Sequence, residues 1–188
     1  MPINIQDIKR GQDFYYGDPP ERFRAFGDAF FGDCGEWVVD ATASGDEIVL
    51  FDESHLLLSR EEALGIFVFG SNLAGIHGAG AARYAMAYCG AKRGVGEGRT
   101  GASYAIPTKD HNLIARSLQS IEGSVNKFLK YASDNPSEKF KVTQIGCGLA
   151  GFRPAEIAPM FIPAPKNCQF DLEWESYLGD DHTYWGTK

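Results

Sequence analysis

The chain of 188 residues contains no apolar run long enough to cross a membrane, which takes about 20 residues. Its opening stretch, MPINIQDIKRGQDF, lacks the apolar core of a signal peptide, so a cytoplasmic protein with no membrane partner is expected. Cysteine is sparse: Cys34, Cys89, Cys147 and Cys168 form no C-x-x-C pair and no cluster with histidine. That scatter argues against zinc sites and disulfide frameworks, and for buried free thiols. Basic residues are outnumbered, 18 against 25 acidic ones, for a formal net charge of −7. A duplex-nucleic-acid binder normally carries a basic face, so that class is not expected. A small anion is still compatible with the balance, because a local loop and helix end can hold one. The nucleoside-triphosphate loop is absent too, since no glycine-rich run leads into Gly-Lys-Ser/Thr. A formal G-x-G-x-x-G at Gly96 to Gly101 precedes the strand-like Ser103 to Ile106 instead of opening a helix, so its context is wrong for a dinucleotide. No cofactor is expected.

What the chain does have is a stretch from Ile66 to Ala85, IFVFGSNLAGIHGAGAARYA. The apolar run Ile66 to Phe69 reads as a strand buried on both faces. Gly75, Gly78 and Gly80 follow, and then an alanine-rich helix from Ala79 to Tyr88. Glycine lets backbone N–H groups approach a ligand, and the helix start behind it favours an anion, so phosphate or pyrophosphate is the expected target. The other reading of Gly75 to Gly80 is a tight turn packed against a neighbour.

Residues 1 to 62 read as a small β-rich module or extension. Glu36 to Asp40 and Asp46 to Phe51 are strands joined by a turn over Thr42 to Gly45, and Ser59 with Glu62 marks a helix start. From 63 to 188 the pattern alternates. A strand at Tyr104 to Pro107 precedes a helix whose Leu118, Ile121, Val125, Phe128, Leu129 and Ala132 share one face. Lys139 to Ile145 is the next strand, and Arg153-Pro154 opens a short helix limited by Pro159. This order implies an α/β sandwich with a largely parallel sheet, both glycine loops at the carboxyl ends of their strands. The tail with Trp174, Tyr177, Tyr184 and Trp185 packs back on the domain or serves an interface.

Two loops now stand together, Gly70 to Gly80 and Ile145-Gly146-Cys147-Gly148-Leu149-Ala150-Gly151-Phe152. Over roughly residues 64–170 the chain resembles the macrodomain family, which binds ADP-ribose and related nucleotides, and looks closest to the branch whose second loop reads Gly-Cys-Gly-Leu. The resemblance implies a macro-like three-layer sandwich with a mixed, largely parallel sheet, behind an N-terminal β-rich extension. It implies that Ser71, Asn72, Gly75, Gly78, Ala79 and Gly80 belong to the first ligand loop, with the Asn72 carboxamide on the distal ribose. Gly146 to Phe152 would wrap the diphosphate. In that branch, ADP-ribosyl-glutamate hydrolases and ADP-ribose phosphate phosphatases, the residue after Leu is a catalytic Asp; here it is Ala150. The acidic residue many relatives carry in the first loop is missing from Gly78-Ala79-Gly80-Ala81-Ala82 as well.

His77 and Asp110 are the remaining acid–base candidates, with Lys109 beside Asp110 at a strand end. Each also has a plainer reading: a histidine bonded to a backbone carbonyl, and a solvated charge pair. Cys147 reads better as a small buried hydrophobe than as a nucleophile. Phe69, Tyr104 and Phe152 are candidates for stacking or for core packing, and Arg83 and Arg153 for phosphate contact or a solvated helix face. Two functions remain open: hydrolysis of an ADP-ribose ester, glycoside or phosphate, and non-catalytic reading or sequestration of an ADP-ribose-type signal.

Overall fold

The structure, a computed structural model, describes residues 5–9, 12–16, 21–25, 30–31, 37–42, 49–52 and 65–186. The chain divides into two compact units, Met1–Leu64 and Gly65–Lys188. In the first, β1 (Asp13–Tyr16), β2 (Glu21–Ala25), β3 (Phe30–Phe31), β4 (Trp37–Thr42) and β5 (Val49–Asp52) form one antiparallel sheet. β4 is its centre, pairing with β2, β3 and β5. The strands read at Glu36 to Asp40 and Asp46 to Phe51 are partners in this sheet, with Val39 opposite Phe51. Most of the turn read at Thr42 to Gly45, and the helix start read at Ser59 to Glu62, lie outside the described residues.

The second unit is an α/β fold on a six-stranded, mostly parallel mixed sheet. Its strands are β6 (Ile66–Asn72), β7 (Gly98–Thr100), β8 (Ser103–Lys109), β9 (Phe140–Val142), β10 (Cys168–Asp171) and β11 (Thr183–Trp185), in the order β11-β10-β9-β6-β8-β7. Only β7 runs antiparallel, hairpinned to β8. That hairpin absorbs the formal G-x-G-x-x-G: Gly98 and Gly101 sit at φ 98° and 51°, and Gly101 lies against the backbone of Gly90. Those glycines serve a turn and a close backbone approach.

Alternation along β6 and β8 sends side chains to opposite faces. Ile66, Val68, Tyr104 and Ile106 join Phe140, Val142 and the buried stripe of α2 (Leu118–Asp134) in the main core. Phe69 and Ala105 face the other way, against Ala82 and Ala85 of α1 (Gly80–Tyr88). Helices on both faces of the sheet are compatible with a three-layer sandwich. Within α2 the apolar face is as read, except that Leu118 is exposed at the first turn, where Ser117 caps the Ser120 N–H. Pro154 opens α3 (Pro154–Ile157), and a 3₁₀ turn carries Ala158 and Phe161 into the core. The tail folds back onto this unit: Trp174 is fully buried, and the Trp185 indole donates to the Val142 carbonyl at 3.2 Å. No helix among the described residues is long and apolar enough to cross a membrane.

In the second unit β6, β8 and β9 end differently from their sequence reading, β8 running past Pro107 to Lys109. β6 runs three residues past Phe69, through Gly70 to Asn72, because its ladder with β8 continues. β9 stops at Val142: the Thr143 N–H and hydroxyl both donate to Val68 O, and the Ile145 N–H then closes on Thr143 O at 2.7 Å. The chain has therefore turned into its loop before Gly146.

Candidate functional site

The connection from β6 leads to β8 on one side, while β8 returns to β9 on the other side of β6. The strand order reverses there, and the carboxyl ends of β6 and β9 open a crevice, the place where parallel sheets take ligands. A cleft of about 520 Å³ occupies it, reaching the ends of β8 and β10 as well.

One wall is the first loop and the start of α1. Gly78, Ala79, Gly80, Ala81 and Ala82 line the cleft, and Ala79, the N-cap, offers no side-chain cap. The amides of Gly78 to Ala82 have no backbone or side-chain acceptor among the described residues. Gly80 has φ 54°, and a Cβ there would meet nothing within 4 Å. The facing wall is the second loop, where Gly146, Cys147, Gly148, Leu149 and Ala150 line the cleft. The Cys147, Gly151 and Phe152 amides close internal turns, onto Gln144 O, Gly148 O and Gly146 O. Those of Gly148, Leu149 and Ala150 find no acceptor among the described residues. Gly146, at φ 76°, lies where a Cβ would press on Phe152 and Thr108 at 3.3 and 3.4 Å.

Ser71 and Asn72 line the floor, both nearly buried. The Asn72 Nδ2 donates to Ile76 O at 2.7 Å, and the Ile76 N–H donates to Asn72 Oδ1 at 3.0 Å. One Nδ2 hydrogen remains for a ligand. At the end of β8 the register slips: Ser71 faces Pro107, but Asn72 faces Lys109. The extra residue, Thr108, turns its hydroxyl to Ser71 O at 3.3 Å, and the bulge brings Lys109 to the cleft wall.

Several expected site residues lie elsewhere. Gly75 is behind the wall, with the Gly94–Val95 peptide 2.4 Å from where its Cβ would be. Gly151 and Phe152 shape the second loop without lining the cleft, and Phe152 packs against the main core. His77 is buried beneath the floor. Its Nε2 is 3.1 Å from Ser71 Oγ, its ring meets the Phe69 ring edge-on, and its Nδ1 has no partner among the described residues. Burial lowers its pKa, so the ring is neutral at pH 7. Asp110 also stands off the cleft, since its Oδ1 accepts the Asn112 and Ile114 N–H groups at 2.8 and 2.9 Å. Neither acid–base candidate is on the cleft wall. Burial pushes the Cys147 thiol up to about 11, against a smaller opposing pull from Trp174 and with Glu156 adding the least. A thiol so placed stays protonated at neutral pH. Phe69 and Tyr104 are core side chains, and Arg153 pairs with Glu156 at 3.3 Å.

Asp171, at the end of β10, is outside the expected residues, yet among the described residues it is the one carboxylate on the cleft wall. Its Oδ1 accepts from Gln144 Nε2 and from the Glu173 N–H, both at 3.1 Å. Its signal in sequence, Asp171 two residues before Glu173, reads only as a local cap. Compared with models of protein families, with curated proteins and with solved structures, the chain matches none.

Proposed function

We propose that the second unit is a macro-like three-layer sandwich that binds ADP-ribose or a closely related nucleotide diphosphate. The observation that carries this reading is the pair of amide rows, Gly78 to Ala82 and Gly148 to Ala150, on opposite walls of one cleft. Uncommitted N–H donors and a helix start stabilise a pyrophosphate without any basic side chain, which suits a chain of net charge −7. The volume is within the range of small-ligand pockets, about 300–1,000 Å³. Non-catalytic reading of the ligand is the favoured role. Ala150 brings only a methyl group to the position where the resembling branch has its acid, and His77 and Asp110 are committed elsewhere. One observation supports hydrolysis as the second reading: Asp171 lines the cleft with its Oδ2 uncommitted among the described residues. Calorimetric titration with ADP-ribose, ADP and inorganic pyrophosphate is the direct test. Saturable heat with ADP-ribose supports the reading, and none with any of the three sinks it.

A further inference from the structure

Ser71 lines the floor of the cleft and His77 lies beneath it, the two only 4% and 2% exposed. His77 Nε2 is 3.1 Å from Ser71 Oγ, while its Nδ1 has no hydrogen-bond partner among the described residues. A neutral imidazole carries one proton, and the hydrogen bonds around the ring decide which nitrogen holds it. A proton on Nδ1 would leave a buried N–H without an acceptor, the costlier kind of orphan. A proton on Nε2 leaves only a bare lone pair on Nδ1. The second arrangement is therefore the stable one, and in it the Nε2–H donates to Ser71 Oγ.

That bond sets what the serine can offer. Its oxygen has accepted, so its own proton is left to give. Besides His77, its one acceptor among the described residues is Asn72 O at 3.4 Å. That distance is beyond the usual O–H···O range of about 2.5–3.0 Å. The same carbonyl already takes the Gly75 N–H at 2.9 Å. The hydroxyl proton is thus available to the cleft, and Asn72 on the same floor holds out its remaining Nδ2 hydrogen. We infer that His77, by donating from Nε2, makes Ser71 a hydrogen-bond donor to the ligand, so that the floor selects ligands that set an acceptor oxygen on it. Ser71 is the contact and His77 the positioning residue. The reverse bond, Ser71 donating to Nε2, would make the serine an activated nucleophile with His77 as its base. That pair needs a third group to orient Nδ1, and none is present among the described residues. The inference rests on the ADP-ribose reading above, a ligand rich in such acceptor oxygens.

Long-range proton–nitrogen NMR correlations of the isotope-labelled full chain, at about pH 8 where an ordinary histidine is neutral, read the tautomer directly. The His77 signals are those that vanish in His77→Gln. The expected result in the ligand-free protein is a proton on Nε2, and a proton on Nδ1 overturns the inference. On saturation with ADP-ribose the Nε2–H signal is expected to move downfield, because a serine that donates onward becomes a stronger acceptor. A signal that stays in place overturns it. Both readouts are taken on wild-type protein, so they stand even where a Ser71 variant fails to fold. Calorimetry then compares wild type with Ser71→Ala, whose fold is checked by urea denaturation. Loss of the bond is expected to weaken ADP-ribose binding about tenfold. Unchanged affinity in folded Ser71→Ala protein overturns the inference and leaves the binding function standing. Wild-type protein that binds neither ADP-ribose, ADP nor pyrophosphate sinks the function and this inference together.

Discussion

Asn72 and Ile76 are joined by a reciprocal pair of hydrogen bonds, carboxamide to backbone, that closes the first loop over four residues. An asparagine side chain here takes the place of a strand partner. It fixes the chain between β6 and the start of α1, so the shape of that wall of the cleft depends on it. Asn72→Ala removes both part-buried bonds to the Ile76 backbone, a loss of about 1–3 kcal/mol for the pair. Urea denaturation is expected to show that loss together with weaker ADP-ribose binding. Asn72→Asp keeps the acceptor but sets a carboxylate oxygen against Ile76 O, and is expected to be the worse of the two.

The glycines of the first loop separate by what surrounds them. Gly75→Ala would drive a methyl into the Gly94–Val95 backbone, with approaches of 2.4 Å, and is expected to cost several kcal/mol of stability. Gly80→Val meets open space but carries φ 54° strain and places its branch at the cleft wall. It is expected to fold with a loss of about 1–2 kcal/mol and to lose most ADP-ribose affinity. Full affinity in a folded Gly80→Val protein would remove this loop from the site.

His77 predicts a pH dependence of stability. Its folded pKa lies below the ordinary 6.5, because burial disfavours the charged ring. Above 6.5 both states are neutral and the full stability is present. As pH falls through 6.5 the unfolded chain takes up a proton that the folded protein does not, so stability declines until the lower folded pKa is passed. Chemical denaturation across this range is expected to show the decline in the wild type and a smaller one in His77→Gln. A wild-type profile that is no steeper than that of the variant refutes the assignment.

The α/β class of the second unit could be read from the sequence because its signals are local. The apolar run at Ile66, the 3.6-residue stripe from Ile121 to Ala132 and the Pro154 helix start each specify their own element. The hairpin of β7 on β8 could not: Gly96 to Gly101 reads only as a formal glycine pattern ahead of a strand, and nothing local says that Gly98 to Thr100 pairs back on β8. The two-loop cleft was legible for the same local reason. Asp171 was not, because only the parallel pairing of β10 with β9 brings it beside Gln144. The burial of His77 was equally hidden: nothing in its sequence neighbours says that Asn72 folds the loop so as to bring His77 to Ser71.

Catalysis and binding make different demands on the cleft, and Asp171 is where they part. Cleavage at the ribose needs a group that activates water or protonates a leaving oxygen, worth about 100- to 10,000-fold in rate. Ala150 has no proton to move, the Cys147 thiol is held up at about 11, and His77 and Asp110 are off the cleft wall. Binding needs only the two amide rows and the shaped floor. The expected outcome is therefore measurable ADP-ribose binding with little or no release of ADP-ribose from a modified glutamate, or of phosphate from an ADP-ribose phosphate monoester. His77→Ala and Asp110→Ala are expected to change loop stability rather than turnover. Asp171→Asn keeps the side-chain shape and an oxygen for the Gln144 and Glu173 bonds while removing the charge. Brisk wild-type turnover that Asp171→Asn abolishes, with binding retained, would make this protein a hydrolase and overturn the reader role. Brisk turnover retained in all three variants would leave Lys109 as the cleft's remaining charged side chain among the described residues and place the chemistry on it.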